Sequence, residues 1–264
     1  MSSFYDKLDM IAIVDMIAFL IQDIVLVIII YFTATKLLKS RNRFFPAFYI
    51  FALISFLLSG LYWAAYTILK ADTTGRMPFA ADEIADSAAL LLLSTGLVAD
   101  KKVDRTAHAG EVIFAVMFTI ANVVLWIFWS GEWLQDIIFG IPYSYLLWLI
   151  IRGIADTKPL TTKTVIALRI ASVAIVTIFF ITEISGRKFD LITDPVCYVL
   201  MFGLLIWLLI MSIKCMNLYV SALYLFATFF VSFGSASIFY DIAVLFNISA
   251  HIILYLSLKK EVLK

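Results

Sequence analysis

Residues 10–35 read MIAIVDMIAFLIQDIVLVIIIYFTAT, and the cations Lys36, Lys39, Arg41 and Arg43 follow at once. An α-helix rises about 1.5 Å per residue, so roughly 20 apolar residues cross ~30 Å of hydrocarbon. The stretch is therefore read as a membrane span that the basic cluster stops at one surface. It is too long for the core of a signal peptide. Residues 1–9 also lack a basic leader and a small-residue cleavage site, so this span is expected to remain in the mature protein.

The same pattern recurs to the end of the chain, in which 64% of residues are apolar and 15% charged. A second span covers 44–69, with Pro46 in the first turn where its missing N–H costs nothing. The third covers 78–98 and is followed by Lys101, Lys102 and Arg105. A Ser130-Gly131 turn joins a fourth span, 111–129, to a fifth, 132–151, which Arg152, Lys158 and Lys163 close. The sixth is 164–184. The seventh is 195–214, with Asp194 as N-cap and Pro195 as its first helical residue. The apolar stretch 217–258 is too long for one helix, and Gly234-Ser235-Ala236-Ser237 is the expected turn within it. The expected fold is all-α: a polytopic transmembrane helix bundle of nine spans, or eight without that last turn. Residues 1–264 then form a single integral membrane domain with no soluble domain.

Cytoplasmic loops retain Lys and Arg. In the nine-span arrangement one face collects fifteen of the twenty cations, and the other holds Lys7, Lys70, Arg76, Arg187 and Lys188. The N-terminus is therefore expected outside and the C-terminus in the cytoplasm of a cell-membrane protein. Aromatic residues gather at the expected outer interface: Tyr62, Trp63, Tyr66, Trp126, Trp129, Trp133, Phe239 and Tyr240. They read as an anchoring belt.

Lys plus Arg number 20 against 19 Asp plus Glu, and no basic stripe marks a nucleic-acid partner. Cys197 and Cys215 lack any metal-finger spacing and are expected to pack as small hydrophobes. There is no phosphate-cradling glycine loop, no zinc-protease helix and no nucleophile elbow, and His108 and His251 are too few for a histidine metal cluster. No cofactor, metal or catalytic residue is assigned.

What remains is a set of polar residues inside apolar helices. Asp15, Gln22 and Asp23 give the first span one broad polar stripe, and Asp23 lies thirteen residues from Lys36, well inside the hydrocarbon. A carboxylate at that depth either faces a polar cavity or carries a proton. Glu83 and Asp86 lie in the outer half of the third span and Asp136 in that of the fifth. There Gly140 and Pro142 are expected to break the helix, with Tyr143 just beyond. Broken helices at membrane depth free backbone groups that line ion and substrate sites. Glu111 and Asn122 add polar groups to the fourth span. Asn247 and His251, four apart, share a face of the ninth.

Two acidic clusters, Asp82-Glu83-x-x-Asp86 and Asp190-x-x-x-Asp194, follow the second and sixth spans. Paired acids of this kind hold Mg²⁺ against a diphosphate. Their placement resembles that of the intramembrane prenyltransferases, which implies a Mg²⁺-dependent prenyl transfer. The chain departs from that family in lacking its Asn-Asp pair and further aspartates, and in placing the motifs outside.

The sequence points to an acidic outer funnel with a polar interior that binds a small polar or cationic solute or ion for transport. The ligand-binding candidates are Asp15, Gln22, Asp23, Glu83, Asp86, Asp136, Tyr143, Asn247 and His251. A sensory or regulatory protein acting through a membrane partner is the alternative, and the Mg²⁺-dependent enzyme a second one. Beyond the lipid bilayer and the solute, the partners compatible with the sequence are further copies of the chain or another membrane protein.

Overall fold

The structure, a computed structural model, describes residues 10–38, 44–69, 81–99, 108–130, 133–157, 161–186, 190–231 and 238–262. Among the described residues there are nine α-helices and no strand. They are α1 Met10–Phe32, α2 Phe44–Leu69, α3 Ala81–Ala99, α4 Ala109–Ser130, α5 Trp133–Thr157, α6 Thr162–Ile184, α7 Asp190–Ser212, α8 Met216–Val231 and α9 Ile238–Val262. Helices α8 and α9 end and begin on either side of the Gly234-Ser235-Ala236-Ser237 cluster, which itself lies outside the described residues.

Five of the nine carry stretches long and apolar enough to cross a membrane: Ile17–Leu37, Phe44–Tyr62, Trp133–Asp156, Pro195–Ser212 and Ile242–Lys260. Their surfaces have the polarity of a protein whose solvent is hydrocarbon. On α1, Ile17, Leu20, Ile21, Ile24, Val27, Ile28 and Tyr31 face outward, whereas Gln22, Asp23, Leu26 and Ile29 are buried. On α4, Val112, Ile113, Val116 and Ile120 face outward while Glu111, Thr119 and Asn122 are buried. Water would select the opposite distribution. The molecule is an all-helical bundle of a kind that fits a membrane protein.

Round the bundle, each helix packs on the next in the order α1, α2, α3, α5, α4, α6, α7, α8, α9 and back to α1, and α5 also touches α7 and α8. Chain order is broken once, where α5 inserts between α3 and α4. The core runs through this assembly, from Leu26 on α1 and Leu53 on α2 to Leu146 and Ile150 on α5 and Leu208 on α7.

Several expectations need correction. Helix α5 is continuous from Trp133 to Thr157 with Pro142 inside it, so the break at Gly140 and Pro142 does not occur. Gly140 instead lets α4 come close, since a Cβ there would stand 2.7 Å from Val123 Cγ2. Proline within the helix removes one backbone bond and leaves the rest of the ladder in place. The helix also runs past 151, because Arg152 is not a loop cation. Its Nη1 reaches Glu111 Oε1 on α4 at 3.3 Å and its Nη2 reaches Asp156 Oδ1 at 2.8 Å.

Helix α7 begins at Asp190, five residues before Pro195, so Asp194 lies in its second turn and is not the N-cap. Leu191 and Ile192 extend the apolar run, and the fixed φ of proline suits an early helical position. The first span continues beyond 35 through a π-helical turn, Thr33–Leu37, in which Leu38 N–H donates to Thr33 O at 3.2 Å. Lys36 therefore belongs to this turn, with its Nζ 4.8 Å from the centre of the Phe32 ring. Trp126 is not part of an outer belt. It is buried, edge-on to Phe139 and Tyr143 at centroid distances of 5.3 Å, whereas Trp133 is exposed.

Two glycines give a paired test of the packing. Gly140→Val forces a branched side chain against Val123 and should cost about 1–3 kcal/mol. At Gly203 a Cβ would meet nothing within 4 Å, so alanine should be accepted there with unchanged or slightly higher stability. Thermal unfolding of the purified protein, followed by tryptophan fluorescence, should lower Tm only for the first variant.

Candidate functional site

The polar residues divide into two groups, and one of them lies where α1, α2, α8 and α9 meet. Gln22 and Asp23 are buried on α1, and among the described residues neither Gln22 Oε1 nor either oxygen of Asp23 has a hydrogen-bond partner. The Asp23 carboxylate rests on Gly60 of α2. A Cβ at that position would overlap Asp23 Oδ1 and stand 3.1 Å from both Cγ and Oδ2. Glycine is needed here for space: any larger side chain would displace the carboxylate.

One turn away on the same face of α2 is Phe56, whose ring lies 5.3 Å from Tyr224 of α8, stacked, and 5.3 Å from His251 of α9, edge-on. Tyr49, seven residues before Phe56, shares this face, and its hydroxyl donates to the His251 carbonyl oxygen at 2.9 Å. A hydrogen bond joins the Tyr224 hydroxyl and His251 Nδ1, while Nε2 of the fully buried ring has no partner among the described residues. A single stripe of α2 thus presents Tyr49, Phe56 and Gly60 to the imidazole and the carboxylate. Four residues of helix separate the Asp23 and His251 levels, about 6 Å along the bundle.

Asn247 joins the upper level. Phe32, nine residues beyond Asp23, meets Tyr255, one turn beyond His251, with ring centres 6.2 Å apart. Helices α1 and α9 therefore run parallel, and Asn247, one turn before His251, comes to the depth of Asp23. It is half-buried there.

The second group sits on the α4–α5 pair. Tyr143 and Asn122 are fully buried, and Tyr143 Oη, Asn122 Oδ1 and Thr119 Oγ1 have no partner among the described residues. Asn122 Nδ2 donates to Phe118 O at 3.0 Å. Asp136, buried in the first turn of α5, engages neighbouring groups and is not a bare carboxylate. At the far end of the same pair stands the Glu111–Arg152–Asp156 cluster.

Of the nine candidate residues, the structure brings Gln22, Asp23, Asn247 and His251 to the α1–α2–α8–α9 cluster and places Asp136 and Tyr143 on α5. Asp86 is half-buried in α3 and also engaged. The side chains of Asp15 and Glu83 lie outside the described residues, as do those of Asp82, Asp190 and Asp194 in the acidic motifs. Among the described residues no group of three His, Cys, Asp or Glu is placed to hold a metal ion.

Tyr49, Phe56, Gly60 and Tyr224 went unrecognised in the sequence. Tyrosines in apolar helices look like core or belt residues. A lone glycine late in α2 carries no sign of the acid it faces.

No protein-family model, no curated protein and no solved structure matches the chain. The reading of this site therefore rests on its chemistry. A partnerless carboxylate buried among apolar helices costs on the order of several kcal/mol while it is ionised, so it attracts a cation or a proton.

Gly60→Ala tests the seat of the carboxylate. The atom in the way is at the end of a side chain that can swing aside, so the fold should survive with Tm changed by only a few degrees. The reaction of Asp23 with a hydrophobic carbodiimide, followed by peptide mass spectrometry, should change several-fold. Unchanged labelling would mean that the carboxylate does not rest on Gly60.

Proposed function

We propose that the chain is a multi-pass cell-membrane protein with nine spans, N-terminus outside and C-terminus in the cytoplasm, that binds a small cationic or polar solute or ion for transport. Asp23 is its coupling carboxylate. The observation that carries this reading is the buried, partnerless Asp23 carboxylate held over Gly60 with His251 one turn below. Ionisable groups inside membrane helices face bundle interiors and mark ion and substrate paths. Asn247 at the level of Asp23 supplies a neutral group that both donates and accepts hydrogen bonds, as a polar solute requires.

The contrast with Glu111 supports the same assignment. That acid is also buried, but Arg152 compensates it, and such a pair serves to fix α4 against α5. Among the described residues Asp23 has no such compensation, which fits a group that exchanges its counter-ion during a working cycle.

Purified protein in liposomes on a solid-supported membrane provides the test. Stepwise concentration jumps of H⁺, Na⁺, K⁺ and small organic cations should elicit charge movement for at least one of them. Asp23→Asn should abolish that signal while leaving the size-exclusion profile unaltered. Equal signals in the two proteins would remove Asp23 from the mechanism.

Orientation has its own check. Reporter fusions after Thr74 and Arg187 should both register outside. A cytoplasmic result at both positions would reverse the arrangement and bring the acidic motifs to the side where prenyl diphosphates occur.

A further inference from the structure

The ion that Asp23 handles is identified by what stands beside it. The titratable groups that α1, α2, α8 and α9 turn toward this point, among the described residues, are the Asp23 carboxylate, the His251 imidazole and the hydroxyls of Tyr49 and Tyr224. All four belong to residues at least nine-tenths buried. None is a permanent cation, and each titratable member exchanges protons. Tyr49 is occupied with the His251 carbonyl, and Tyr224 with His251 Nδ1. The polar atoms left without partners at these two levels include the two carboxylate oxygens of Asp23 and His251 Nε2.

Asp23 and His251 address positions one turn apart on one face of α2, through Gly60 and Phe56. The helical rise between Phe56 and Gly60, which separates the two levels along the bundle, is about 6 Å. The Phe56 and Tyr224 rings pack against the imidazole and restrict its orientation.

Building on the transport reading above, we infer that the coupling ion is a proton and that His251 is its second carrier, exchanging it with Asp23. In the inward step the O–H bond of the protonated Asp23 carboxyl group breaks and an N–H bond forms at His251 Nε2. A neutral acid and a neutral imidazole become a carboxylate and an imidazolium. This exchange requires the tautomer in which Nδ1–H donates to the Tyr224 oxygen, which leaves Nε2 as the accepting nitrogen, and that bond strengthens once the ring is charged. Tyr224 is thus a positioning residue: it decides which imidazole nitrogen is available. Tyr49, bound to the backbone at the same residue, ties this stretch of α9 to α2.

The experiment is an infrared pH titration of the full-length protein in liposomes, which reads proton binding directly and needs no transported solute. Wild type should show the C=O stretch of a protonated carboxyl group, and Asp23→Asn should remove it. In His251→Gln the midpoint of that band should move by about one pH unit or more, a tenfold change in proton affinity. Tyr224→Phe should alter the imidazole ring bands while the carboxyl band persists.

If His251→Gln does not yield a monodisperse protein, the wild-type titration decides. Imidazole and carboxyl bands that change in linked steps support the exchange, and fully independent steps overturn it. A carboxyl band lost in Asp23→Asn whose midpoint ignores His251→Gln would overturn the role of His251 and leave Asp23 as the coupling group. A band that responds to Na⁺ at fixed pH as strongly as it responds to pH would make the ion sodium. A band that survives Asp23→Asn would sink the exchange by placing the titrating carboxyl elsewhere. The transport reading fails separately, on charge movement that Asp23→Asn leaves intact.

Discussion

The contact of the Asp23 carboxylate with Gly60 is the constraint on which the rest of this structure depends. An acid among apolar helices has to be turned away from lipid, and α1 does so by placing Ile17, Leu20, Ile21, Ile24, Val27 and Ile28 outward and Asp23 inward. Once inward, the carboxylate needs room, and the room exists because α2 carries no side chain at residue 60. The close approach of α1 to α2 at this level follows from this, and helical spacing lines Tyr49, Phe56 and Gly60 along one face of α2. That line in turn gives α8 and α9 a surface of fixed shape on which Tyr224 and His251 dock.

Helices in an apolar environment gain little from burying more hydrocarbon, because lipid is as apolar as leucine. Close packing and interhelical hydrogen bonds take over that role. Both appear here. Gly140 lets α5 approach Val123 on α4, and the Arg152–Glu111 pair locks the far end of the same two helices. On the other side of the bundle the Tyr49 bond to the His251 backbone and the Tyr224 bond to its ring hold three helices at one point. The two halves are thus fastened by different means, a charge pair in one and neutral hydrogen bonds in the other. The half fastened by neutral bonds contains the uncompensated acid.

Much of the architecture was legible because apolar runs of roughly membrane-crossing length mark the longer helices in the sequence. The limits 44–69 of α2 follow from the apolar run and the cations before it, and the observed helix matches them. Charge was a less faithful guide where it was satisfied internally. Arg152 reads as the end of a span in sequence, yet in three dimensions it is a half-buried partner of Glu111, and the helix continues past it. Proline misled for a related reason, since Pro142 and Pro195 each remove one backbone bond within helices that neighbouring elements support. Of the site, Asp23 and His251 stood out in the sequence because a titratable residue deep in an apolar run is costly. Their association did not, because it depends on which faces of α1, α2 and α9 meet. Periodicity within one helix contains no information on that choice.

The neutral fastening around His251 bears on how the acid can work. If Tyr224 or Tyr49 were replaced in this arrangement by a lysine or arginine, Asp23 would gain a counter-ion one turn away, and the pair would become structural, as Glu111 and Arg152 are. Hydroxyl groups avoid this. They hold the imidazole in place without adding a fixed charge, so the field at Asp23 changes only when the imidazole itself gains or loses a proton. A carboxylate that must release what it binds is better served by such a neighbour than by a permanent cation, whose attraction at this depth would be screened only weakly. The absence of side chain at Gly60 and the presence of tyrosine at 49 and 224 are therefore parts of one arrangement: the first admits the acid to the interior, and the second keeps its charge uncompensated there.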